Sequence, residues 1–265
     1  MLIQASIPVL VEKPVGRSAH EVRQLIQLAN QSKVPVCVGH HRIHGGLFRR
    51  LHALVQSDKF ETCHHFISKT IFRKPLEYWE QRAWRAFPEN GGVLGINVIH
   101  EIDLSQRLFG PITEVFCDLI DHPDFPGLAS RGQALVRFQN GTQGCFIFSD
   151  GTPSPASWEL TTGENSSFTQ HRDKSCYEFY FSNGYLKFPE FQFSQGKHLD
   201  WLSGYEKQKM DVEPDDPLKN QLEHFVAVIR GEEQPTVTLE DALQNRLVMD
   251  AMFQSAASHE WVSVP

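Results

Sequence analysis

Ile7-Pro8-Val9-Leu10-Val11-Glu12 is an unbroken apolar run closed by a charge, the pattern of a short strand buried on both faces of a parallel sheet. Ser18 and Glu21 follow in the S-x-x-E spacing of a capping box, which predicts a helix to about Asn30 with Val22, Leu25, Ile26 and Ala29 inward. A second apolar run, Val34-Pro35-Val36-Cys37-Val38-Gly39, completes strand, helix and strand within about thirty residues. Such a βαβ unit binds ligands at the carboxyl ends of its strands, where Lys13 and the cluster His40-His41-Arg42-Ile43-His44 lie. Lys13 reads equally well as a solvated charge at a strand end. His40 and His44 would share a helix face and suit a metal. With no carboxylate or cysteine close in sequence, polar groups rimming a pocket are the better reading, and no metal site is expected.

Downstream, Gly46 to Ser57 predicts an amphipathic helix carrying Leu47, Phe48, Leu51, Leu54 and Val55, and Cys63 to Phe72 a strand in which His64 and His65 alternate. From Arg73 to Asn90 periodicity fades, and Tyr78, Trp79, Arg82, Trp84, Arg85 and Phe87 suit either a loop covering a polar substrate or one packed on its own aromatics. The chemistry centres on Gly91-Gly92-Val93-Leu94-Gly95-Ile96-Asn97-Val98-Ile99-His100-Glu101-Ile102-Asp103-Leu104. Paired glycines imply a backbone that passes close to something. Asn97, His100, Glu101 and Leu104 then recur at i, i+3, i+4 and i+7, so one helix face presents an amide and an imidazole. That imidazole is either a proton carrier at a pocket or a satisfied core histidine.

After Gly110-Pro111 the pattern turns to sheet. Strands are predicted at Thr113–Ile120, Gln133–Phe138, Gly144–Phe148, Ser157–Thr162, Tyr177–Phe181 and Gly184–Phe188, with Asn140-Gly141 and Asn183-Gly184 as type I′ hairpin turns. Pro189 to Pro217 reads as irregular loop, Leu218 to Arg230 as a helix closed by Gly231, and Thr238-x-x-Asp241 as the cap of a final helix. The fold class is therefore α/β plus α+β: a partial Rossmann-like parallel βαβ domain over residues 1–45, then a domain over 46–265 with a predominantly antiparallel open sheet and flanking helices. The last helix, 238–258, is expected to pack back towards the first part.

The 265 residues carry a net charge of -7, which disfavours nucleic-acid and anionic-membrane surfaces and leaves small molecules or proteins as partners. No apolar run is long enough to span a bilayer, and the first residues lack the features of a signal peptide, so a cytoplasmic protein is expected. Five scattered cysteines with no C-x-x-C indicate reduced thiols.

Taken in order, Val9-Leu10-Val11-Glu12-Lys13-Pro14, Gly39-His40-His41-Arg42, Trp84-Arg85, Gly91-Gly92 through His100-Glu101-Ile102-Asp103-Leu104, and Leu108-Phe109-Gly110 resemble the Gfo/Idh/MocA oxidoreductases. The resemblance implies an NAD- or NADP-dependent oxidoreductase moving hydride between the nicotinamide and a sugar, polyol or related hydroxyl compound. It implies Lys13 and His100 as catalytic residues, the first polarising the substrate oxygen and the second exchanging its proton. Glu12, Lys13, Pro14, His41, Trp84 and Arg85 would contact the cofactor, and Asn97, Arg85 and His100 the substrate. It further implies a cis Lys13-Pro14 peptide and a homo-oligomer formed through the open sheet.

Two departures stand out. Many members of the family have an aspartate four residues before the helix histidine, where this chain has Ile96, so Asn97 is expected to be a neutral orienting contact. The family also opens with a strand and a G-x-G-x-x-G turn that cradles the pyrophosphate, and no such motif occurs here. These 265 residues are therefore expected to bind NAD(P) weakly, as part of a longer functional oxidoreductase. The alternative is a non-catalytic remnant serving as a substrate-binding or oligomerisation module.

Overall fold

The computed structural model describes residues 2–81, 83–87, 92–195, 200–202 and 205–265. Gly91 and Arg82, singled out above, lie outside them. The opening unit forms as the apolar runs predict: β1 (Val9–Val11), α1 (Ala19–Ser32) and β2 (Val36–Val38), with β1 and β2 parallel. Ser18 caps α1 by accepting from the Glu21 backbone at 3.3 Å, but the Glu21 carboxylate bonds the Arg17 backbone instead, so the predicted box is half made. The Lys13-Pro14 peptide is cis.

Then come α2 (Gly46–Val55) and β3 (Cys63–Ile71). His64 and His65 do not alternate. A bulge between Cys63 and His65 turns both to solvent. The expected loop from Arg73 is partly helical, with α3 (Leu76–Glu80) and a tight turn at Ala83–Ala86. A π-helical turn, Leu94–Val98, leads into α4 (Ile99–Phe109), and the Ile99 amide reaches back five residues to the Leu94 carbonyl.

The strands β4 (Ile112–His122), β5 (Phe125–Phe138) and β6 (Gln143–Ser149) follow. The predicted strand at Ser157–Thr162 is instead a helical turn, α5 (Trp158–Thr161), because the Thr161 and Thr162 hydroxyls bond the Ser157 and Trp158 carbonyls one turn back. Next are β7 (Tyr177–Phe181) and β8 (Gly184–Phe188). Neither Asn140 nor Asn183 has positive φ, so neither hairpin is type I′. Gly141 alone is left-handed in the first, and Ser182-Asn183 forms the second loop. The stretch read as loop after Pro189 holds β9 (Gln192–Gln195) and β10 (Lys207–Lys209). Last come α6 (Pro217–Ile229), α7 (Leu239–Ser258) and the unpredicted β11 (Val262–Ser263).

Among the described residues one open sheet collects nine strands in the order β10-β9-β8-β7-β3-β6-β5-β4-β11, all antiparallel except the β3–β6 pair. Its inner face is aromatic: Phe66, Phe146, Phe148, Tyr177 and Phe179 are almost fully buried there. α7 lies between α1 and β4, which explains apolar residues around much of its circumference. Its capping box is complete, with Asp241 accepting from the Thr238 backbone at 2.8 Å and Thr238 accepting from Asp241 at 3.1 Å.

The close approach implied by Gly92 is to the chain itself. At φ +65°, an added Cβ would stand 2.6 Å from the Ala129 carbonyl on β5. Gly92→Ala should therefore lower the thermal midpoint more than Gly110→Ala. Gly110 also has positive φ but has open space around it. Strain alone costs ~1–2 kcal/mol, or ~2–4 °C per kcal/mol for a chain of this size, and Gly92 adds a backbone clash. Equal shifts in calorimetry would mean that β5 yields freely.

Candidate active site

At the carboxyl ends of β1 and β2 the βαβ unit meets α4, α5 and the start of α6 around a cavity of about 750 Å³. Of the residues singled out in the sequence, Glu12, Lys13, His41, Arg42, Tyr78, Asn97 and His100 line it. Pro14, Trp84 and Arg85 do not. Trp84 is exposed, and Arg85 lies over the Tyr78 ring at 3.8 Å while donating to the Tyr78 carbonyl at 2.7 Å. The loop between β3 and α4 thus packs at least partly on its own aromatics.

The π-helical turn explains how two sequence-distant groups meet. Lys13 Nζ donates to the Ile96 carbonyl at 2.5 Å, within the turn that carries Asn97 and one helical turn before His100. Extra residues of this kind in a helix recur where a side chain must be re-aimed. His100 is buried, edge-on to the rings of His40 at 5.3 Å and His41 at 5.1 Å, and its Nδ1 has no partner among the described residues. Burial, reinforced by Lys13 and Arg42, holds its pKa well below the usual imidazole range, so the ring is neutral. Burial likewise lowers Lys13 to about 8, with Arg42 adding to the effect, and lowers His41 to about 3.

The groups that hold this wall in place were named in the sequence only as members of a cluster or a helix face, or not at all. Arg42, 1% exposed, donates to Glu101 at 2.6 Å and Glu159 at 2.7 Å and lies 5.1 Å over the Trp158 ring. Glu101 shared a predicted face with His100, yet it points into the sheet and accepts from Ser68, Thr70 and Tyr177. Glu159 and Lys74 line the cavity from α5 and the end of β3, and Lys74 is neutralised by Asp150 at 3.1 Å. A chain-distant glutamate beside an arginine leaves no periodic signal, which is why Glu159 was not legible. Asp103 fixes the assembly from behind, accepting from Asn245 of α7 at 3.0 Å. Among the described residues no group of three or more His, Cys, Asp or Glu is placed to hold a metal ion.

Residues 54–264 match the family described as the oxidoreductase family, C-terminal alpha/beta domain, of the Gfo/Idh/MocA type. The chain belongs to the Gfo/Idh/MocA oxidoreductases. No curated protein matches it. Solved structures share its fold at low identity. The WlbA dehydrogenase from Bordetella pertussis in complex with NADH and UDP-GlcNAcA is 17% identical, with a TM-score of 0.76 over 100% of this chain and 74% of that one. An oxidoreductase from Agrobacterium radiobacter in complex with NAD+, L-tartaric acid and magnesium is 12% identical, with a TM-score of 0.79 over 99% and 75%. The aldose-aldose oxidoreductase from Caulobacter crescentus complexed with glycerol is 13% identical, with a TM-score of 0.75 over 99% and 73%. In this chain Lys13, beside its cis peptide to Pro14, and His100 near the start of α4 line one cavity. Among the described residues no helix is long and apolar enough to cross a membrane.

Proposed function

We propose that the chain carries the substrate side of an NAD(P)-dependent oxidoreductase acting on a sugar, polyol or related hydroxyl compound. The observation that carries this reading is the pairing of Lys13 and His100 on one cavity wall, with His100 Nδ1 and Asn97 Oδ1 buried and without partners. The nicotinamide, when bound, accepts or returns the hydride, and Glu12, Lys13 and His41 would contact it from this wall. The similar structures in complex with NADH and UDP-GlcNAcA, and with glycerol, support the substrate class.

The chain's own groups handle the proton. In oxidation, the Lys13 ammonium offsets alkoxide character on the substrate oxygen and His100 takes the hydroxyl proton; in reduction His100 returns it. A nearby cation lowers the pKa of the hydroxyl as well as that of His100, so the proton can pass to a weak base. Asn97 orients the substrate without exchanging protons. Trp84, Arg85 and Pro14, which stand off the cavity wall, would contact the cofactor only from outside this cavity.

The test is a tryptophan-fluorescence titration of the 265-residue chain with NADH and NADPH, repeated on Lys13→Ala and His100→Ala. Binding that is weak in the parent and weaker still in Lys13→Ala supports the reading. Tight binding indifferent to Lys13 would place the nucleotide elsewhere. Activity should also follow Lys13 ionisation. The ammonium is present below about pH 8 and lost above it, so kcat/KM for oxidation should fall as pH rises through about 8. Lys13→Arg should move that limb out of range, since a guanidinium stays charged. A limb unchanged in Lys13→Arg would assign it to another group.

We also propose a homo-oligomer. Leu135 and Ile147, 46% and 36% exposed, lie with Ile120 and Tyr180 on the sheet face turned from the buried aromatics. Leu135→Glu combined with Ile147→Glu should convert the protein to monomer in sedimentation, and an unchanged mass would clear that face of the role.

A further inference from the structure

The same cavity holds buried acceptors with nothing to accept from. Glu159 Oε1 takes both the Arg42 bond at 2.7 Å and the Asn97 amide at 3.4 Å, while among the described residues its buried Oε2 has no partner. Because the Asn97 amino group must face that carboxylate, the remaining Asn97 atom, Oδ1, is fixed as an acceptor. Asn97 is only 8% exposed, and Oδ1 has no donor. In Glu164, Oε2 accepts the Trp158 indole at 2.7 Å and Oε1 has no partner among the described residues. Burial raises its carboxyl to about 7, so near neutrality it is partly protonated and carries less of the charge than Glu159. All three residues line the cavity. Buried acceptors without donors are costly and mark where a ligand's donors belong.

The charges around them point the same way. Lys74 is taken by Asp150, and Arg42 by Glu101 and Glu159. Burial works against an ionised Glu159, but Arg42 and the Asn97 hydrogen bond outweigh it and hold the carboxyl below its usual range, keeping it charged. Lys13 serves the reacting oxygen, and Arg73 is exposed at the edge.

Resting on the sugar or polyol reading above, we infer that Glu159, with Asn97 and Glu164, is the specificity wall of the site. It takes substrates that offer hydroxyl or ammonium protons to it and rejects those that bring a carboxylate. A charged, desolvated acceptor gains from each donated proton and repels an anion at close range. A site that must be hydrogen-bonded also discriminates strongly against a ligand unable to supply the donor.

The test is a ligand-observed NMR titration of the 265-residue chain with glucose, glucosamine and glucuronate, which share a ring and differ in charge. Glucose and glucosamine should bind, with glucuronate about tenfold or more weaker. Glu159→Gln, which keeps the shape and an acceptor for Arg42, should bring glucuronate within about threefold of glucose. Glu164→Gln, further from Arg42 in the bonding scheme, gives a second reading of the same gap if the first variant does not fold. A preference for glucosamine over glucose would identify the donor as ammonium, and equal binding as hydroxyl; both uphold the inference. Glucuronate binding as tightly as glucose, or a gap unchanged in both variants, overturns it while leaving the sugar reading intact. Binding of none of the three overturns the sugar reading and this inference together.

Discussion

His100→Ala and Lys13→Met should each lower kcat/KM by ~10²–10⁴-fold in any preparation that turns over a hydroxyl substrate, because each removes one half of a coupled proton and charge arrangement. The double variant should lose little beyond the more severe single, since residues acting on one oxygen are not additive. Among the described residues His100 Nδ1 has no hydrogen-bond partner to lose, so the thermal midpoint should move far less than the rate. Steady-state absorbance of the nicotinamide checks the rates and calorimetry the fold. A His100→Ala protein that retains rate within about threefold would make that histidine a core residue, the plainer of its two readings from sequence.

Arg42→Met should cost about 3–5 kcal/mol of stability, the expected result when one partner of a buried ion pair is removed. Both Arg42 and Glu101 are 1% exposed, and the guanidinium is the only cation bonded to Glu101 among the described residues. Burial already raises the Glu101 carboxyl above its usual range despite Arg42. Without Arg42 it rises further, so the folded protein binds a proton that the unfolded chain has released. The deficit should therefore be greatest at neutral and alkaline pH and shrink as pH falls towards the unfolded carboxylate value, ~4.3. Adding Glu101→Gln to Arg42→Met should restore part of the loss at neutral pH. Urea unfolding at two pH values decides it, and a deficit independent of pH would mean that lost packing on Trp158, rather than an orphaned charge, dominates.

How far the sequence carried the site depends on the kind of signal each residue leaves. The positions of Lys13 and His100 on the cavity wall were legible because the first ends an unbroken apolar run and the second lies near the start of a periodic helix, and strand or helix ends are where side chains reach a pocket. Glu159, Glu164 and Lys74 were not, since what makes them part of the wall is contact with groups far away in the chain. The strand predicted at Ser157–Thr162 failed for a related reason: β-branched residues favour strands on average, but two threonine hydroxyls found backbone carbonyls one turn back. His64 and His65 were misread because a bulge adds a residue that no alternation rule contains.

By itself the sequence determined the parallel βαβ opening, the capped α1 and α7, the antiparallel character of the second half and the family, because hydrophobic period and cap chemistry are local and survive without knowledge of neighbours. Only the tertiary structure decided that Gly92 yields to the Ala129 carbonyl, that a π-helical turn brings Lys13 to the Ile96 carbonyl, and that Glu101 turns inward to Arg42 while Glu159 keeps one oxygen free. Those outcomes are set by which groups are left without water and without partners once the sheet and helices close. Desolvation acts on the packed whole rather than on any stretch of chain.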